Sequence, residues 1–245
     1  MKLIILGSSS AGNGYILKGK TSSLLIEAGV PLREVKMAMK FDISSIRGAV
    51  LSHGHIDHAK YAFEYAKAGI NVYSSLDTLD ITGMINSHRA KVITEGRKYK
   101  IGEFTVLPFG LIHDIKNYGY LISHPEMGLT CFLTDTCYSP FIFPGLNNII
   151  IEANYSDNVL ESRIEAGYLH PVLAERIRRS HMAESTMIEF LKANDTTCVN
   201  NIVIIHLSSH NSNAQQMKSS VINVTGINPT IAKAGMCIEF NKTAF

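Results

Sequence analysis

The sequence predicts an α/β protein in which two mixed β-sheets pack face to face with helices outside. Three observations carry that expectation. Short apolar runs of β type recur through the first part of the chain in a hairpin-rich pattern. From Asn148 onward the pattern restarts as strands alternating with helices. A chain of 245 residues, 46% hydrophobic and 18% charged, is long enough to bury a sizeable core as one domain or two fused halves.

The early β-type runs fall at residues 2–6, 14–17, 23–27, 49–52, 71–74, 104–107, 118–122 and 129–133, with helical patterns at residues 32–40 and 58–67. In the later part, residues 149–152 and 202–206 read as strands, and residues 183–191 and 214–220 as helices. There is no internal repeat and no low-complexity linker. Residues 136–145, with two prolines and a glycine, form the best internal boundary.

Composition narrows the function classes. Twenty-three basic and 21 acidic residues leave a formal charge of +2, so no overall polycation is available to grip nucleic acid and any such binding must use local patches. Cys131, Cys137, Cys198 and Cys237 form no C-x-x-C pair and lie in or beside apolar stretches, which reads as buried free thiols, with disulfides or a thiolate metal site as minor alternatives. The apolar run at residues 1–6 is too short for a signal peptide. No stretch approaches the roughly 20 apolar residues that span a bilayer. A cytoplasmic protein with no membrane contact is expected.

The strongest chemical signal is Ser52-His53-Gly54-His55-Ile56-Asp57-His58. Three imidazoles and a carboxylate follow an apolar strand and precede a helix. A turn there can fold His53 and His55 toward one point and Asp57 and His58 toward another. Imidazole nitrogens and carboxylate oxygens suit zinc, and also manganese or iron. The competing reading, a histidine-rich turn without metal, would solvate a dense imidazole cluster for no gain.

Two ions need more ligands than these four residues supply. His113, followed by Asp114, Asp135 and His206 each stand where an apolar strand ends. Sites in layered α/β proteins are usually built at such ends.

The segment His53-Gly54-His55-Ile56-Asp57-His58 is similar to the HxHxDH signature of the metallo-β-lactamase superfamily, and His113, Asp135 and His206 follow in that superfamily's order. The resemblance implies an αββα sandwich, a single metallo-β-lactamase-fold domain over residues 1–245, and a dinuclear site between the sheets. By that analogy His53, His55 and His113 hold one ion, Asp57, His58 and His206 hold the other, and Asp135 bridges them. The implied cofactors are two divalent ions, zinc first and manganese as the alternative.

Further segments resemble the YycJ/WalJ group of exonuclease-like hydrolases. They are Gly7-Ser8-Ser9-Ser10-Ala11-Gly12-Asn13-Gly14-Tyr15, His113-Asp114 with Gly119-Tyr120, Thr134-Asp135-Thr136, Glu152-Ala153-Asn154-Tyr155, Ser180-His181-Met182, and His206-Leu207-Ser208 with Asn211. The chain departs from that group at Glu27, where Asp is usual, at Ser180 in place of Gly, and at Ala183 in place of Ser. The group is close to the tRNA-processing ribonuclease Z, whose histidine near the same helix resembles His181.

What the resemblance implies is a phosphodiesterase acting on nucleic acid through a metal-activated hydroxide. The expected catalytic residues are Asp57, which is also a ligand, and His181, a proton donor to the leaving alkoxide. A capping histidine is the competing role for His181. Arg176, Arg178 and Arg179 could seat a phosphate backbone, or form a solvated helix face with Glu175 paired to Arg179. The basic stretch at residues 88–100 reads first as a charged loop. The loop at residues 8–14 either supports the metal site or contacts phosphate, and a tight glycine turn is an equal alternative. His124, His170 and His210 are expected to be non-ligands.

The expected partner is a nucleic acid or nucleotide phosphodiester, with a homodimer left open. The alternative substrate is a small cyclic nucleotide. Lactonase- or thioesterase-type hydrolysis and a metal-stabilised binding module without turnover stand behind these.

Overall fold

The computed structural model describes residues 1–243. Residues 244 and 245 of the expected domain range lie outside that part.

The first sheet collects β1 (Lys2–Ser9), β2 (Gly12–Lys18), β3 (Ser23–Ile26), β4 (Ile46–Val50), β5 (Val72–Ser74), β6 (Ala90–Val92) and β14 (Cys237–Glu239), in the order β14-β1-β2-β3-β4-β5-β6. The second collects β7 (Tyr99–Ile101), β8 (Phe104–Leu111), β9 (Asn117–His124), β10 (Gly128–Leu133), β11 (Asn148–Glu152), β12 (Asn201–Ile205) and β13 (Thr230–Ile231), in the order β13-β12-β11-β10-β9-β8-β7. Both are mixed. β3 through β6 run parallel beside an antiparallel β1–β2 pair, and β10 through β13 run parallel beside antiparallel β7 to β9.

Helices cover the outside of both sheets: α1 (Leu32–Ala38), α2 (Ile56–Ala59), α3 (Ala62–Lys67) and α4 (Leu76–Ile81) along the first, and α7 (Glu184–Ala193) and α8 (Ala214–Thr225) along the second. An exposed pair, α5 (Asp157–Glu165) and α6 (Pro171–Ser180), lies between β11 and α7.

The layering follows from period-2 alternation in strands buried on both faces. Ile150 joins the core between the sheets with Ile5, Tyr15, Tyr120 and Phe132, while its neighbours Ile149 and Ile151 pack outward on Met187, Phe190 and Met217. In the first sheet Leu24 and Ile26 point inward, and Leu25 points outward onto Val35 and Tyr65. Runs such as Ile202-Val203-Ile204-Ile205 therefore lack polar alternation because both of their faces lose water.

The expected helix at residues 58–67 is divided into α2 and α3. Ala28, just past β3, accepts a hydrogen bond from the Tyr61 amide and donates one to the His58 carbonyl, so a strand end interrupts the helical ladder. Residues 136–145 connect β10 to β11 within the second sheet; the chain changes sheets between β6 and β7 and again after β13. The cysteine expectation holds in part. All four thiols are free, but only Cys131 is buried, Cys137 is half-buried, and Cys198 and Cys237 are exposed.

Candidate metal centre

The seven expected ligands converge. β10, β11 and β12 are parallel, and β8 runs the same way because both β8 and β10 pair antiparallel with β9. Their carboxyl ends therefore share one edge of the sandwich, which delivers His113, Asp135 and His206 to one place. The connection after β4 brings His53 and His55 there from the other sheet, and the first turn of α2 carries Asp57 and His58.

Two pockets of donors result. In the first, His55 Nδ1 lies 3.1 Å from His53 Nε2 and 3.2 Å from His113 Nε2, and Asp135 Oδ2 stands 3.8 Å from His53 Nε2. In the second, Asp57 Oδ2 lies 3.3 Å from His58 Nε2 and 3.2 Å from His206 Nε2, and Asp135 Oδ1 lies 3.3 Å from His58 Nε2. The two oxygens of Asp135 thus face different pockets.

The orientation of the imidazoles tests whether cations fit. His113 Nδ1 is 2.9 Å from the Ser180 carbonyl, which can only accept, so Nδ1 carries the proton and a neutral ring turns a bare Nε2 toward the pocket. His206 Nδ1 meets Glu152 Oε1 at 3.1 Å, His53 Nδ1 meets Ser52 Oγ at 2.9 Å, and His58 Nδ1 faces Glu27 Oε1 at 3.4 Å. Outer partners of this kind fix ring orientation in metal sites. The resulting donors, three imidazoles with a carboxylate oxygen and two imidazoles with two carboxylate oxygens, fit two divalent cations.

Electrostatics point the same way. Burial, reinforced by the charge of His58, pushes His53 well below its usual range, and burial lowers His113. His53 and His113 therefore present neutral rings to the first pocket. In the second pocket burial is outweighed: Asp135 and Glu27 hold His58 well up, and Asp135 and Asp57 hold His206 at about 10. The imidazoliums in turn hold Asp57 and Asp135 well down against burial. Protons on His58 and His206 balance these carboxylates, and cations binding there displace protons.

Local backbone strain marks the same residues. Glu27, Asp135 and His206 adopt φ of 65°, 48° and 55°, in the left-handed region. Such conformations cost on the order of 1–3 kcal/mol each and persist where surroundings over-determine them.

The loop at residues 8–14 is a hairpin turn that also buttresses the site. Ser8 Oγ accepts a 3.0 Å bond from the His206 amide, and Asn13 Nδ2 donates to the Asp57 carbonyl and to Asp57 Oδ2. Gly29 is required because a Cβ there would lie 1.8 Å from the Asp57 carbonyl oxygen.

His181, directly after α6, reaches the same cavity. Its Nδ1 is 2.7 Å from Glu152 Oε1 and its ring centroid is 5.4 Å from that of His206. The Glu152 charge outweighs burial and holds His181 above its usual range. The cleft over these groups has a volume of about 380 Å³ and is bordered on its open side by Ser10, Ile56, Leu173 and Ile177.

Residues 9–78 match the family model described as the metallo-beta-lactamase superfamily. The whole fold resembles the metallo-beta-lactamase fold protein YhfI from Bacillus subtilis, with a TM-score of 0.75 and 17% identity, covering 96% of this chain and 98% of that one. The chain has the metallo-β-lactamase fold. The domain also resembles the short form of human tRNase Z, with a TM-score of 0.64 and 16% identity, covering 98% of this chain and 99% of that one. In sequence it is 22% identical to the exodeoxyribonuclease WalJ of Streptococcus pneumoniae, over 91% of this chain and 87% of that protein.

Sequence reasoning missed what stands behind the candidate ligands. Glu152 accepts from His181, His206 and the Thr136 amide, yet it entered the reading only as part of a matching segment. Its one signal was a buried charge closing the run Ile149-Ile150-Ile151. Glu27 accepts from the Ser52 amide and faces His58, and was noted only as a departure. Asp114 Oδ1 lies 3.0 Å from His113 Nε2 and 3.4 Å from His55 Nε2. Of the histidines set aside, His124 packs against Phe104 and His170 caps α6; among the described residues neither they nor His210 joins a donor group.

Proposed function

We propose that this chain is a dinuclear-metal-dependent phosphodiesterase that hydrolyses nucleic acid. The observation that carries the reading is the placement of seven nitrogen and oxygen donors in two pockets joined by Asp135, with His181 held beside them. His53, His55 and His113 would hold one ion, Asp57, His58 and His206 the other, with zinc the first candidate and manganese the alternative. When bound, such a pair supplies a water of lowered pKa and positive charge for the non-bridging phosphoryl oxygens.

The chain's own groups account for the rest. Asp135 holds both pockets at a fixed spacing, and Asn13 and Ser8 hold Asp57 and His206. His181 turns Nδ1 to Glu152 and leaves Nε2 for the leaving oxygen. As hydroxide, one proton of its parent water having gone to solvent, bonds to phosphorus and the phosphorus–oxygen bond to the leaving group breaks, Nε2 delivers the proton that the departing alkoxide needs. The Glu152 carboxylate keeps that proton available near neutral pH. Ile56, Leu173 and Ile177 form an apolar part of the cleft's lining beside the donors.

The names of two similar proteins, an exodeoxyribonuclease and a tRNase Z, support nucleic acid as the substrate class. The test is to offer zinc- or manganese-loaded protein bis-p-nitrophenyl phosphate and nitrocefin. Hydrolysis of the phosphodiester is expected; hydrolysis of nitrocefin alone contradicts the reaction class.

A further inference from the structure

The cleft over the histidines is one half of a longer depression. Beyond Ser180 it adjoins a second cavity of about 860 Å³, which runs along α6 past Pro171 and Val172. His113, Asp114, Arg176 and Ser180 border both cavities. Each volume lies in the range that accommodates a small organic ligand.

The three arginines of α6 are not equivalent. Arg178 pairs with Glu161 and approaches Glu175, and Arg179 Nε lies 2.8 Å from Glu175 Oε1. These two, and Glu175 with them, are neutralised by their neighbours. Arg176 stands one turn away, exposed, and among the described residues its guanidinium has no ion pair and no hydrogen bond. It is the one cation of α6 left free, and it stands where the two cavities join.

An anionic substrate passing this junction meets the exposed carboxylate of Asp114. A permanently charged, fork-shaped guanidinium lining the same two cavities as that carboxylate offsets the repulsion and can take two oxygens of one phosphate. The pocket donors already account for the scissile phosphate, so a free arginine at the exit answers a second one.

We propose that Arg176 seats the phosphate adjacent to the one cleaved, so that the substrate class is a linear oligonucleotide carrying at least two phosphates. This rests on the phosphodiesterase reading and narrows it. A cyclic nucleotide offers one phosphate and fills one cavity; a strand offers successive phosphates and fills both.

The test compares thymidine dinucleotides with only the internal phosphate against the same dinucleotides carrying an additional 5′- or 3′-phosphate. Zinc-loaded wild-type protein, Arg176→Ala and Arg176→Lys are assayed for KM and kcat. Binding of the same compounds to metal-free protein is measured by isothermal titration. In wild type, one of the added phosphates lowers KM about tenfold, equivalent to about 1.4 kcal/mol. In Arg176→Ala the values converge, with zinc content and melting temperature as in wild type, and the salt slope of log K shrinks by about 0.7, one single-strand phosphate. Arg176→Lys retains part of the preference, because it keeps the charge and loses the fork.

Equal handling of singly and doubly phosphorylated dinucleotides by wild type overturns the proposal, as does a preference that survives in Arg176→Ala. An Arg176-dependent preference in metal-free protein without hydrolysis of any diester upholds the phosphate site and sinks the reaction assignment instead.

Discussion

Glu152 Oε1 accepts a 2.7 Å hydrogen bond from His181 Nδ1 and, from the same oxygen, faces His206 Nδ1 at 3.1 Å. One buried carboxylate therefore orients both the proposed proton donor and a proposed metal ligand. Replacing it with an amide separates its charge from its shape. Glu152→Gln removes the charge that outweighs burial at His181, so the His181 pKa falls. The donor works in its protonated form, so activity is lost at lower pH: the alkaline limb of the kcat profile moves down. Metal affinity at the second pocket falls about 10–100-fold, as for other outer partners of ligating histidines. An alkaline limb that stays in place removes Glu152 from the donor pair.

His181 approaches Asp135 Oδ2 only at 3.9 Å and stands outside the two donor pockets, so His181→Ala keeps both ions. Turnover of a diester with a poor leaving group falls by roughly 10²–10⁴-fold, the usual contribution of general acid catalysis. With p-nitrophenolate, which leaves without a proton, the loss is much smaller. Equal losses on both substrates point to a structural role for His181.

Gly29 is a packing constraint on the metal site. In Gly29→Ala the new methyl group meets the Asp57 carbonyl oxygen, so either β3 or α2 has to shift. Overpacking of this kind costs about 1–3 kcal/mol. At about 2–4 °C per kcal/mol for a chain of this size, the melting temperature falls measurably. Ion content at the Asp57 pocket falls with it. Wild-type stability together with wild-type metal content contradicts the close contact.

The donors were legible in the sequence because a ligand must interrupt an apolar strand end, and a histidine or aspartate after a run such as Leu129-Thr130-Cys131-Phe132-Leu133 is conspicuous. The groups behind them were not. Glu27 and Glu152 owe their roles to partners about 30 or more positions away, and Ser180 contributes a backbone carbonyl that no residue type announces. Of the α5–α6 pair only the helix face on which Glu175 pairs with Arg179 was anticipated, because the pair has little core: Leu160 is the buried residue of α5, and Ala174 and Ser180 those of α6. The same exposure frees Arg176 to face the cleft. The two sheets were readable from strand patterns, whereas α2 and α3 were read as one helix because the bonds from Ala28 that divide them are long-range.

The central claim is that two cations share the bridge formed by Asp135. Metal content after chelation and reloading tests it most directly, measured by inductively coupled plasma mass spectrometry on wild type and Asp135→Ala. Two ions per wild-type chain, falling to one or none in the variant with loss of activity, is the expected result. A wild type that never takes up more than one ion, or a variant that still holds two, would contradict it.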